Sequence, residues 1–133
     1  MIRYTGKNGK EYILRYDMAA MEEIREQFGG TSEALQQMNQ RAVDVVIGVF
    51  VILAQEGAEY MAETEGRICQ EKVTAEGLLT KRSSPGRLAG IMAAIREAVK
   101  DGSKMQAMDE EDDRIRDGYA EELRQQEAEK GKN

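Results

Sequence analysis

A chain of 133 residues has room for one compact domain and not for two. It holds no histidine and one cysteine, which removes the commonest general base, the commonest metal ligand and any internal disulfide, and Cys69 then points to a reducing compartment. The formal charge of −6 is uneven: residues 109–133 carry ten acids against five bases, a balance of −5, so residues 1–108 carry only −1 and neither part offers a basic footprint for nucleic acid.

An apolar fraction of 41% supports a core, but aromatics make up 5% and tryptophan is absent, so aliphatic and methionine side chains must do the packing. The amino-terminal MIRYTGKNGK lacks the apolar stretch of a signal peptide. In IRYTGKNGKEYILRY two β-rich runs flank GKNG, which predicts a hairpin. A two-residue Asn8-Gly9 loop would pair Tyr4 with Ile13. A three-residue loop with Gly9 as a left-handed bulge instead pairs Tyr4 with Tyr12 and Ile2 with Leu14, and gathers Ile2, Tyr4, Tyr12, Leu14 and Tyr16 on one face. A slip of one residue would scatter those side chains, so the second register is expected. A lone hairpin is marginal in water, and its apolar face should lie on helices.

Asp17 is placed to cap a helix with Met21, Ile24 and Phe28 as its apolar stripe and Gly29-Gly30 as its stop. Thr31 or Ser32 should cap a second helix through about Met38, with Ala34, Leu35 and Met38 inward. The longest helix is expected from about Gln40 to Thr64. Its apolar run Val45–Ala54 is about half a membrane span, so burial is the better reading, and Ala42–Ala54 is either core or a surface for self-association. Thr74 could cap a short helix holding Leu78 and Leu79. Ser83-Ser84-Pro85 opens another, with Leu88, Ile91, Met92, Ile95 and Val99 as its stripe and Asp101-Gly102 as its end. The fold class is therefore α+β and mostly helical: an N-terminal hairpin packed on a bundle of four to five helices over residues 1–102. Residues 103–133 form a charged C-terminal extension, expected to be weakly ordered or helical.

Candidate chemistry is sparse. Glu22, Glu23 and Glu26 near Asp17 suit the solvent face of a helix start. The run Asp109–Asp113 lacks the spaced oxygens and central glycine of a calcium loop. Cys69, Ser83 and Ser84 have no histidine to activate them, and GKNG has no helix behind it to cradle a phosphate. The cations of LTKRSS belong to a solvated loop, with a weak anion contact as the alternative. No catalytic, cofactor-binding or metal-binding residue is assigned, and an enzyme is disfavoured. Met18, Met21, Met38, Met61 and Met92 read as core filler more than as an adaptable binding surface. Ile115, Tyr119 and Leu123, at i, i+4 and i+8 on an otherwise polar segment, are the candidate partner-binding residues, set against simple docking on the chain itself or no order at all.

The hairpin pattern NGKEYILRYDM followed by AMEEIREQFGGTSEAL resembles the tail assembly chaperones of long-tailed bacteriophages and prophages, the small tail assembly proteins of the gene-G type. The similarity extends over about residues 1–100: the hairpin, the aspartate-capped helix ending in Phe-Gly, the short Ser/Thr-capped second helix, the long apolar helix and a shorter helix over Thr74-Ala75-Glu76-Gly77-Leu78-Leu79. It implies a non-enzymatic, cofactor-free protein of the bacterial host cytoplasm that binds the tape measure protein and helps recruit tail tube protein, with possible self-association and neither nucleic acid nor membrane as partner. It also implies a longer form made by ribosomal frameshifting, for which codons of Lys130-Gly131-Lys132 could supply a slippery run. The alternative is a structural head–tail completion or tail-terminator protein. A DNA-binding regulator would need a basic recognition helix, which the sequence lacks.

Overall fold

The computed structural model describes residues 1–40 and 42–104. The candidate residues Ile115, Tyr119 and Leu123 and the acidic run Asp109–Asp113 lie outside them. The described chain is mostly helical behind an N-terminal antiparallel hairpin: β1 (Ile2–Thr5), β2 (Glu11–Leu14), α1 (Met18–Phe28), α2 (Thr31–Asn39), α3 (Val43–Thr64) and α4, helical over residues 85–104. Residues Met1–Gly102 form one compact unit.

The hairpin adopts the register that its side-chain faces require: Ile2 pairs with Leu14 and Tyr4 with Tyr12. Gly6 N–H donates to the Lys10 carbonyl at 2.8 Å, leaving a three-residue loop in which Gly9 sits at φ +79°, a conformation open to glycine without strain. Tyr12 and Leu14 are buried, with Ile2, Tyr4 and Tyr16 packed beside them. Phe50 of α3 is the partner of this face: the Tyr4 and Tyr12 rings meet it edge-on at centroid distances of 5.6 and 5.0 Å.

α3 is the central element and packs against β2, α1 and α2. By length and composition it could cross a membrane, with mean hydropathy 1.5, yet half of that stretch is buried inside the protein. Val46, Val49, Phe50 and Leu53 are its largest fully buried side chains. It begins at Val43, later than the expected Gln40: α2 closes with the Gln40 N–H shared among carbonyls of its last turn, and Ala42 takes extended backbone outside either helix. β2 crosses α3 at close range. Arg15 N–H donates to the Leu53 carbonyl at 3.0 Å, and a Cβ at Gly57 would overlap the Ile13 carbonyl.

Asp17 caps α1 through a 2.9 Å bond from Ala20 N–H, and Gly29 ends it in the left-handed conformation. Three details depart from expectation. Ala20, not Met21, shares the buried face with Ile24, because the small residue lets the helix approach its neighbours; Met21 stays half-exposed outside the core. Neither Thr31 nor Ser32 caps α2: Gly30 holds that position, and the Thr31 hydroxyl bonds the Tyr16 hydroxyl at 2.8 Å. Among the methionines, Met38 and Met92 fill core as expected, while Met18 is 77% exposed.

The segment around Leu78 and Leu79 is a turn and not a helix. Gly77 takes φ +78°, which stops a helix within one turn, and Leu78 N–H bonds the Ala75 carbonyl. Leu78 is still buried, seated under the hairpin loop. α4 starts at Pro85 and buries Ile91, Met92 and Ile95, but it runs through Gly102 instead of ending there. Gly102 serves close packing, since a Cβ would strike the Tyr16 carbonyl.

Candidate functional site

The buried core of the described residues is wholly apolar, and no three acidic or cysteine side chains among them converge as metal ligands. Glu22, Glu23 and Glu26 are all exposed, with Glu22 paired to Arg25 and Glu23 bonded to Gln27 along the helix. Cys69 lies half-buried in the loop after α3, its thiol directed at the Glu71 carbonyl at 3.6 Å.

One polar cluster is built deliberately by the fold. Asp17 accepts from Arg15 Nε at 3.0 Å as well as capping α1, and the Arg15 guanidinium lies 3.8 Å over the Tyr60 ring. Glu56 joins this cluster from α3. Burial pushes its carboxyl from 4.5 up to about 7, helped by a side-chain hydrogen bond to Asp17 and by the charges of Asp17 and Glu59, and opposed by Arg15. The cluster clamps the end of β2, the start of α1 and the middle of α3. Its groups already satisfy one another, which marks a structural clamp.

The more open feature is a groove between the start of α3, the loop 76–84 and the first turns of α4. Its main part encloses about 650 Å³ over Val43, Leu79, Pro85 and Leu88. A depression of about 270 Å³ continues it over Ala89 and Met92, sharing Pro85 and Leu88. A third, of about 430 Å³, adjoins it through Thr80, Ser83 and Ser84 and reaches the hairpin loop at Lys7 and Asn8. Val43 is 47% exposed in the first turn of α3, and Pro85 is exposed at the start of α4.

Local chemistry shapes the groove. Asn8 Nδ2 bonds the Tyr12 hydroxyl at 3.0 Å and the Glu76 carbonyl at 3.3 Å, fastening loop 76–84 to the hairpin. Thr80 and Ser83 close a tight turn, with Thr80 N–H donating to Ser83 Oγ at 2.9 Å and Ser83 N–H to the Thr80 carbonyl at 3.0 Å. Ser83 thus braces the loop and does not cap α4. The turn holds Lys81 and Arg82 outward, and with Lys7, Arg87 and Arg96 they give the groove, among the described residues, five cations and no carboxylate in its lining. Among the described residues none of the five forms an ion pair; Arg96 bonds the Asn39 side chain instead. Only Lys81 and Arg82 were visible in sequence as a cationic loop, because the other three come from distant segments.

Compared with known proteins, the chain matches no protein-family model, no curated protein and no solved structure.

Proposed function

We propose that this protein is a non-enzymatic tail assembly chaperone of a long-tailed bacteriophage or prophage, acting in the host cytoplasm. It binds the tape measure protein, keeps it soluble and helps recruit tail tube subunits. The observation that carries the reading is the resemblance over about residues 1–100, from NGKEYILRYDM through the aspartate-capped helix and beyond. Supporting it, the hairpin, the Asp17-capped α1 ending in Phe28-Gly29, the short α2 and the long apolar α3 fold as parts of one unit. The segment Thr74–Leu79 departs from the family's helical pattern and weakens that part of the likeness.

In this reading the helices form a bundle behind the hairpin, and residues 103–133 are an acidic extension whose Ile115, Tyr119 and Leu123 engage a partner. Acidic charge favours solubility during assembly, and a segment of that composition can fold on binding. Co-expression with a tape measure protein from the same locus tests the proposal. The tape measure protein should move from the insoluble to the soluble fraction and co-purify with this chain. Unchanged insolubility, with the chain itself soluble, contradicts it.

A further inference from the structure

We infer that the groove beside α4 docks an acidic amphipathic helix of a partner protein, with the partner's aliphatic side chains on the floor and its carboxylates against the cationic rim. The site rests on the reading of the chain as a protein-binding module, and not on the identity of the tape measure protein as partner.

Shape and surface chemistry select this occupant. The floor is aliphatic and concave, formed by Val43, Leu79, Pro85 and Leu88, and it continues along one side of α4. Such a strip suits apolar anchors repeating at i, i+3, i+4 and i+7 on a helix. Residues 1–108 carry a charge of only −1, yet among the described residues the groove lining holds five cations and no acid, so its local charge is opposite in sign to that of the whole chain. A basic helix would be repelled. A second copy laid on the same groove by two-fold symmetry would bring like rims together, since such an interface presents one patch to itself. Single-stranded nucleic acid would meet the cations but find no aromatic side chain to stack on among the described lining residues.

The test uses the full chain with methyl and amide NMR and a set of synthetic helix-forming peptides. Each peptide has leucine at i, i+3, i+4 and i+7 and glutamate elsewhere, with lysine-for-glutamate versions as controls. Acidic peptides should shift the Val43, Leu79 and Leu88 methyl signals, and the lysine versions should not. Val43→Glu puts a carboxylate into the groove at an exposed first-turn position where acids are tolerated. It should abolish the shifts without unfolding the chain. Lys81→Glu with Arg82→Glu should weaken binding about tenfold at low salt, less at high salt.

Four results each overturn the inference: no shift of those methyls at millimolar acidic peptide, equal response to the lysine versions, tighter binding of a single-stranded oligonucleotide, or self-association that Val43→Glu abolishes. Because no tape measure protein enters the test, its failure leaves the co-expression result free to stand, and the reverse also holds.

Discussion

Asp17 is one residue with three attachments: the first turn of α1, the Arg15 guanidinium and the Glu56 carboxyl. Sequence disclosed the first, because a carboxylate before a helical run has an obvious use. The other two depend on α3 passing beside the end of β2, and no spacing in the chain announces that. The cluster has a consequence for pH. In the folded state Glu56 holds its proton up to about 7 against an ordinary value of 4.5. Its contribution to stability is therefore complete below about 4.5 and is lost as pH rises through about 7. The free energy of unfolding should fall between about pH 5 and pH 8. Glu56→Gln should flatten that slope and be the more stable protein at pH 8, by roughly 1 kcal/mol once solvent screening of a half-exposed group is allowed for. Chemical denaturation of both proteins at the two pH values measures this; identical slopes would mean that Glu56 titrates as an ordinary glutamate.

At the level of elements, the packing of β2 on α3 sets how closely backbones approach. Gly57 sits at that crossing, where an added Cβ has only the Ile13 backbone to move against. Gly57→Ala should destabilise the fold by about 2–3 kcal/mol. Gly90, exposed on α4 with nothing near its Cβ position, should behave oppositely: Gly90→Ala should stabilise by about 0.5–1 kcal/mol through helix propensity. Denaturation midpoints of the pair provide the comparison, and equal effects would remove the close-approach explanation. The same contrast explains what could be read in advance. The hairpin register was legible because only one pairing collects Tyr4, Tyr12 and Leu14 on a single face. In sequence Gly102 has the position of a stop, since a glycine after a helical stripe usually is one, whereas its real constraint is contact with Tyr16, far away along the chain. The Thr74–Leu79 segment has the composition of a short helix, but Gly77 and the anchoring of Leu78 under the hairpin loop convert it to a turn.

At the scale of the folded unit Met1–Gly102, helices and hairpin enclose an apolar core and leave the charged side chains at the surface. The groove beside α4 was the least legible feature. Its floor draws on the start of α3, a loop and α4, and its cations run from Lys7 to Arg96, so that only folding assembles a positive rim from a nearly neutral body. A protein that grips a partner through such a surface and then departs differs from one built into a particle. The most direct measurement of that difference is quantitative mass spectrometry on assembly extracts and on purified virions from the same phage or induced prophage. A tail assembly chaperone should be found bound to tape measure protein in the extracts and be absent from finished virions. Recovery of this chain from virions in fixed ratio to the tail proteins would contradict the account and make it a structural component.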